Sequence, residues 1–180
     1  IDDCKAPGHN DEFANTAAHR PADLDMFGAV IRAEGEAFFG EALAGFPSDF
    51  KGAYRQVPVC PKQALDFILV TWDPVQACKV FFVAVSQLFG SGNAPLNFTR
   101  YPDFCCCALS VLLAIACIHC VDDVLVVEIT KTVMSAYSSW REFAELCGWD
   151  VPDAKSPPPA QIFRALGAMI DLIAFPCGIL

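Results

Sequence analysis

The sequence predicts an α+β fold in which helices back an antiparallel sheet of the split β-α-β kind. From residue 42 onward, the local patterns follow the order strand, helix, hairpin, helix, strand. The chain of 180 residues is 54% hydrophobic, which is enough for a buried core without a disulfide framework or a structural metal. This length is that of about one domain.

The first predicted elements are a helix and two strands. Asp23 has the chemistry of an N-cap and precedes an amphipathic pattern, so a peripheral helix should begin there. Residues Ala42 to Phe50 predict a short extended segment that ends at Asp49. The β-rich run from Ala77 to Val85 predicts another strand.

The middle of the chain predicts a long helix and then a hairpin. The segment from Pro95 to about Cys117 has helical length, and proline is well tolerated in a first helical turn. Two β-rich arms then flank Asp122 and Asp123, which places this acidic pair at the turn of a hairpin.

The last part of the chain predicts a helix and a final strand. Apolar residues recur at helical spacing from Thr130 to Cys147, and Gly148 is placed as the C-terminal stop. The segment from Leu166 to Leu172 is the candidate for the final strand.

The cysteines and the apolar runs indicate a protein of a reducing, intracellular compartment that is not secreted; the family resemblance given below leaves cytoplasm and nucleus both open. Several of the ten cysteines lie in apolar segments, where they suit small buried hydrophobes in a reducing compartment. The longest apolar run, Phe104 to Ile118, is shorter than the roughly 20 residues that a membrane-spanning helix needs. We therefore expect no membrane partner.

Three carboxylates are the candidate catalytic group. Asp49 ends one predicted strand, and Asp122 and Asp123 lie at a hairpin expected to pair beside it. Ionised carboxylates that lie so near one another repel, unless divalent cations bridge them. This predicts a site for two Mg²⁺ ions, or Mn²⁺ in their place, of the kind that transfers phosphoryl groups. For an isolated Asp-Asp pair, a simple turn is the competing interpretation.

Five segments occur in an order that resembles the motifs of one enzyme family, the reverse transcriptases. They lie at residues 49–59, 89–98, 120–126, 146–156 and 166–171, and residues 1–10 resemble the end of that family's fingers motif. The resemblance covers nearly the whole chain. Within the family, the segments resemble retrotransposon enzymes of the gypsy-like or tyrosine-recombinase-bearing kind.

This resemblance implies a fold, an activity and partners. It implies a ferredoxin-like polymerase palm at residues 42–180 and partial fingers at residues 1–41, with the thumb and RNase H absent. The implied activity is RNA-directed DNA polymerisation, the two-metal transfer of dNTPs onto a primer 3′-hydroxyl. The implied partners are an RNA or DNA template with its primer, dNTPs, and the other polyprotein domains of the parent: thumb, RNase H, and integrase or recombinase.

The resemblance also implies residue roles. Asp49 and Asp122 would bind both metal ions, Asp123 would assist, and Lys155 would protonate the leaving pyrophosphate. Tyr54 matches a steric gate against the ribose 2′-hydroxyl, with a core aromatic as the alternative. The residues implied to contact substrate are Phe50, Lys51, Gly52, Ala53, Tyr54, Gly90, Ser91 and Gly92.

Two further interpretations stay open. Cys117-Ile118-His119-Cys120 has the two-residue spacing of a zinc ligand pair and could recruit Cys105 to Cys107 in a structural module. Alternatively, the chain is an inactive retroelement remnant, because Cys120 stands where the family has an aromatic residue.

The charge of the chain also bears on activity. The net charge of −9, with only 12 basic residues, is the opposite of a nucleic-acid-binding footprint. We expect this chain alone to show little or no primer extension.

Overall fold

The structure is a computed structural model that describes residues 21–173, and these form three α-helices and seven β-strands. The α+β class predicted from the sequence is confirmed. The elements are α1 Leu24–Ala37, β1 Leu43–Asp49, β2 Ile68–Asp73, β3 Cys78–Val83, α2 Ala94–Leu113, β4 Ala116–Cys120, β5 Asp123–Ile129, α3 Val133–Leu146, β6 Ile162–Ala165 and β7 Ala168–Asp171. The fingers motif expected at residues 1–10 lies outside the described residues.

The described residues fall into two compact units. The smaller unit is Gly52–Phe98, and the larger contains residues 21–51 and 99–173. The boundary that we expected between residues 41 and 42 stays a prediction.

The larger unit is built on a three-stranded antiparallel sheet in the order β1-β5-β4. Strand β5 lies in the centre, and Val124 to Val127 on it are fully buried. Strand β1 pairs with β5 on one edge. On its opposite edge β1 forms one bridge, in which Gly45 and Ala160 exchange two backbone hydrogen bonds of 2.9 Å. This isolated bridge adds one backbone pairing beyond the three strands of the sheet.

Helix α1 covers one face of this sheet. The Asp23 carboxylate accepts a hydrogen bond from the Met26 amide at 2.9 Å, so the predicted N-cap is confirmed. Phe27 and Ile31 are buried on the face of the helix that packs in a core cluster with strand residues such as Leu125. This apolar contact attaches the helix to the sheet.

Helix α3 ends as its sequence predicts. Gly148 takes a left-handed conformation with φ +79°, and its amide donates to the Glu145 carbonyl. The Trp149 amide donates to the Ala144 carbonyl at 2.9 Å. These two bonds form a Schellman motif, which glycine favours because it has no Cβ.

Two predicted boundaries were wrong. Helix α2 ends at Leu113 rather than near Cys117, because Ala114 turns the chain with φ +54° and β4 follows at once. The sequence predicted a single final strand at Leu166 to Leu172, whereas the structure has a hairpin of β6 and β7. Leu166 and Gly167 both adopt positive φ, at +49° and +78°, which makes a tight two-residue turn.

The smaller unit contains a hairpin of which the sequence predicted only the second strand. Strands β2 and β3 pair antiparallel from Ile68 with Val83 to Asp73 with Cys78. The Asp73 carboxylate accepts from the amides of Val75 and Gln76, at 2.7 and 3.1 Å, which orders the turn. Across residues 21–173, no helix combines the length and apolar character needed to cross a membrane.

Two carboxyl groups lie close together where α1 meets β5. Burial, and then the charge of Glu128, raises the pKa of Glu34 above its ordinary value of 4.5. One Glu34 oxygen, Oε2, is buried without a hydrogen-bond partner. The folded state therefore binds the Glu34 proton more tightly than the unfolded chain does, and this contribution to stability is lost as pH rises through the raised pKa.

Replacing Glu34→Gln should stabilise the fold at pH 7 by about 1 kcal/mol, because it removes a half-buried charge with an unpaired oxygen. At pH 4 both proteins should have similar unfolding free energies, since Glu34 is then protonated. Urea unfolding across this pH range measures the difference, with Glu36→Gln on the exposed face of α1 as the matched control. A gain that is equal at both pH values would contradict the electrostatic explanation.

Candidate active site

The strand register of the larger unit brings the three aspartates to one end of the sheet. Asp49, the last residue of β1, is paired with Asp123, the first residue of β5. Asp122 lies in the two-residue turn that joins β4 to β5. Neighbouring strands lie about 4.8 Å apart, so the Asp49 and Asp123 main chains are direct neighbours.

The turn that carries Asp122 is conformationally strained. Val121 has φ +56°, which is rare for a β-branched residue. The buried His119 ring contacts the Val121 carbonyl oxygen through Nδ1 at 3.2 Å and Asp103 Oδ1 through Nε2 at 2.7 Å. His119 thus links the turn to helix α2, and strain of this type often accompanies functional sites.

Asp49 is only partly compensated by its neighbours. Its Oδ2 accepts a hydrogen bond from Lys155 Nζ at 2.5 Å, and this contact together with the charge of Asp49 raises the pKa of Lys155. Its Oδ1 is buried and has no hydrogen-bond partner. A buried carboxylate oxygen without a partner is costly unless a further cation or donor reaches it.

The other two carboxylates are destabilised as anions. Burial raises the pKa of Asp122; a backbone hydrogen bond opposes this shift, and the charge of Asp49 adds to it. Burial, followed by the charges of Asp122 and Asp49, raises the pKa of Asp123. Lys155 opposes both shifts, but the site retains an excess of negative charge.

Two serines that sequence reasoning missed hold Asp49 and Lys155 in register. Ser48 Oγ and Ser156 Oγ form a buried hydrogen bond of 2.8 Å, and Trp140 Nε1 donates to Ser48 Oγ at 2.8 Å. Each serine directly adjoins one member of the Asp49 and Lys155 pair. No local pattern signals this contact, because the two serines are 108 residues apart.

The carboxylates do not form a ready coordination shell. Within residues 21–173, no group of three or more His, Cys, Asp or Glu side chains is arranged to hold a metal ion. The donor chemistry nevertheless fits a hard divalent cation, because the oxygens are anionic, mutually repelling and in part unpaired. Lys155 supplies the positive charge beside Asp49 in this structure.

The residues just after Asp49 have structural contacts. The Phe50 ring is buried, with ring centroids of Trp140 and Trp149 at 5.9 and 5.3 Å. Lys51 Nζ pairs with Asp150 at 2.9 Å. The Phe50 side chain therefore serves packing, and substrate contacts by Phe50 and Lys51 stay a prediction.

In the smaller unit, Tyr54 lies in an aromatic cluster. Its ring centroid is 5.0 Å from that of Phe89 and 5.5 Å from that of Phe98. Gly52 precedes it in a left-handed conformation, with φ +65°, and buried Ala53 begins the short 3-10 turn Ala53–Gln56. Tyr54 is half-buried, so its ring contributes to packing, and the steric-gate role stays a prediction.

The glycine-rich segment 90–92 leads into α2. Gly90 has φ +88°, a conformation that glycine adopts without strain. Ser91 between the glycines is buried, and its carbonyl accepts from the Ala94 amide at 3.1 Å. Gly92 then connects this turn to the helix.

The structure separates the two cysteine side chains that the zinc interpretation requires as a ligand pair. Cys117 and Cys120 are three residues apart on β4, and side chains alternate along a strand, so these two side chains point to opposite faces of the sheet. Cys117 is buried while Cys120 is half-buried. One ion cannot bind both thiolates in this arrangement.

The described residues have a reverse-transcriptase-like α+β fold. No protein-family model matches the sequence, and no curated protein matches it. Among solved structures, the crystal structure of the prototype foamy virus protease-reverse transcriptase, a selenomethionine-labelled CSH mutant, is similar with a TM-score of 0.62 and 16% identity. The match covers 90% of this chain and 20% of that chain, so this chain spans about a fifth of the neighbour's length.

Proposed function

We propose that this chain is the fingers-and-palm part of an RNA-directed DNA polymerase from a retrotransposon of the gypsy-like or tyrosine-recombinase-bearing kind. The observation that carries the proposal is the pairing of Asp49 with Asp123, beside Asp122, at one end of the β1-β5-β4 sheet. The reverse-transcriptase-like fold and the order of the sequence motifs support it. The proposed ligands are a primed RNA or DNA template and dNTPs.

Asp49 and Asp122 would hold two Mg²⁺ ions, with Asp123 as an auxiliary carboxylate. When bound, these ions would activate the primer 3′-hydroxyl and stabilise charge on the leaving pyrophosphate. Asp49 offers its unpaired buried Oδ1 for this purpose. Lys155 holds a proton on Nζ at the edge of the site and would donate it to the leaving pyrophosphate.

The proposal is tested by primer extension. The full parent open reading frame, expressed as one protein, should extend a DNA primer on an RNA template with Mg²⁺ or Mn²⁺, and EDTA should stop the reaction. No extension with either cation would overturn the polymerase proposal and favour an inactive remnant. That second candidate is motivated by Cys120, which pairs with Asp123 in the hairpin where the family has an aromatic residue.

Lys155 should compete with the cations for Asp49. Replacing Lys155→Met removes the ammonium group 2.5 Å from Asp49 Oδ2, so Mg²⁺ should bind more tightly. Because this lysine is exposed, the pair contributes at most about 1 kcal/mol, which corresponds to about a fivefold lower Kd. Titration calorimetry on this chain measures the change.

The matched control is Lys131→Met, which removes another exposed lysine that pairs with a carboxylate, Glu41 at 2.6 Å. Its Kd for Mg²⁺ should equal that of the unmodified protein. Equal affinities in all three proteins would show that Lys155 does not compete for the cation.

A further inference from the structure

A pocket lined by side-chain amides lies inside the smaller unit. It has a volume of about 290 Å³, which is at the lower end of the range for small-molecule sites. Four amide side chains and one hydroxyl supply its polar lining: Gln63, Gln87, Asn93, Asn97 and Ser91. We propose that this pocket binds one unpaired nucleobase, and that adenine is the base it prefers.

Backbone hydrogen bonds hold the polar wall of the pocket in place. The Gln87 amide donates to the Val57 carbonyl at 2.9 Å, which ties the segment before α2 to the segment after Tyr54. The Asn97 amide donates to the Asn93 carbonyl at 3.0 Å at the start of α2. Residues four apart in a helix lie on the same side of it, so these two asparagines line the pocket together.

The rest of the lining is apolar and uncharged. Leu88 is buried, and Phe67 packs against it in a small core cluster. None of the described residues that line the pocket carries a formal charge. An ionic ligand would lose its hydration here without meeting a countercharge, whereas an uncharged ring with hydrogen-bonding edges suits such a lining. Aromatic side chains such as Phe67 also stack on unpaired bases.

Gln87 provides the most direct indication of a ligand. Its Oε1 is buried and has no hydrogen-bond partner in the part of the chain that the structure describes. A buried acceptor without a partner destabilises the fold, and a donor on a ligand would remove that cost. The terminal torsion of a glutamine is soft, so Oε1 can turn toward a ligand in the pocket without movement of the main chain.

The edge of adenine matches a side-chain amide. Asparagine and glutamine pair with adenine by accepting a hydrogen bond from its 6-amino group and donating one to N7. Gln87 Oε1 would accept from the amino group. A base in a single strand exposes this edge, and so does a free nucleoside. The pocket would therefore recognise the base itself, from either source.

This inference does not rest on the proposed polymerase function. All the lining residues belong to the smaller unit, whereas Asp49, Asp122 and Asp123 belong to the larger. Of the residues that the family resemblance implies to contact substrate, Ser91 alone lines the pocket. Base binding can therefore be measured without metal ions and without DNA synthesis.

The test is an NMR titration of the full chain with adenosine and with purine riboside, which lacks only the 6-amino group. We expect adenosine to bind about tenfold more tightly, because one hydrogen bond between neutral groups contributes about this factor. The side-chain amide signals of Asn93 and Asn97 should shift with both ligands. Equal affinities, or binding that leaves these signals unmoved, would overturn the proposal.

Replacing Gln87→Leu isolates the acceptor. The variant should bind adenosine about tenfold more weakly and purine riboside equally well, because the second ligand has no amino group to donate. The matched control is Gln76→Leu, the same change at an exposed turn of the same unit, which should leave both affinities unchanged. An equal loss for the two ligands in Gln87→Leu would contradict the role of the amide.

Competition identifies the source of the base. Two short single-stranded oligonucleotides are compared, one of thymidines alone and one with a single central adenosine. Displacement of bound adenosine by the second strand only would assign the pocket to a base in a strand. Displacement by neither strand would assign it to a free nucleoside. No binding of adenosine or of either strand would overturn the proposal and leave the polymerase proposal untouched.

Discussion

Replacing Asp122→Asn is expected to lower RNA-templated DNA synthesis by about a thousandfold. The substitution keeps the shape of the side chain but removes one of the two anionic groups proposed to hold both metal ions. Metal ions contribute several kcal/mol of transition-state stabilisation, and about 4 kcal/mol corresponds to a thousandfold in rate. Steady-state primer extension by the full parent protein measures the loss.

The same variant should keep or gain thermal stability. Burial and the charge of Asp49 raise the pKa of Asp122, so its anionic form is disfavoured in the fold and a neutral amide relieves repulsion. Asp66→Asn, at an exposed position of the smaller unit, is the matched control and should retain both activity and Tm. If Asp122→Asn retains more than a tenth of the activity, the proposed metal site is wrong.

Replacing Gly45→Val should destabilise the larger unit by about 3 kcal/mol or more. A Cβ at this position would lie 2.5 Å from the Val126 carbonyl oxygen and 3.0 Å from the Phe163 ring. Because the first contact is with main chain in the central strand, no rotamer change can relieve it. Strand β1 would have to move from β5, which would also displace Asp49. Urea unfolding measures the loss.

The matched control for this steric argument is Gly28→Ala. Gly28 lies inside α1, where an added Cβ approaches nothing nearer than the Arg32 side chain at 3.6 Å. Alanine favours helix over glycine by about 1 kcal/mol, so this variant should gain stability. A Gly45→Val protein with an unfolding free energy within 1 kcal/mol of the original would show that the sheet accommodates a side chain at this position.

The sequence alone determined the features that depend on short-range chemistry. Four such features are present in the structure: the Asp23 cap, the Gly148 stop, strand β1 and the hairpin around Asp122. Each follows from residues that are close together in the sequence. The α+β class follows from their order. Strand β2 was missed. The turn at Leu166 was also missed, because a leucine in a left-handed conformation has no sequence signature.

The tertiary structure alone decided the strand register and the side-chain contacts between distant elements. The pairing of Asp49 with Asp123 depends on strand register, and the contact between Asp49 and Lys155 depends on a serine pair 108 residues apart. The hydrogen bond from Cys117 Sγ to the Cys106 carbonyl oxygen depends on how α2 lies on β4. Spacing along a chain encodes contacts within a helix or across a hairpin, whereas contacts between elements result from packing of the whole core.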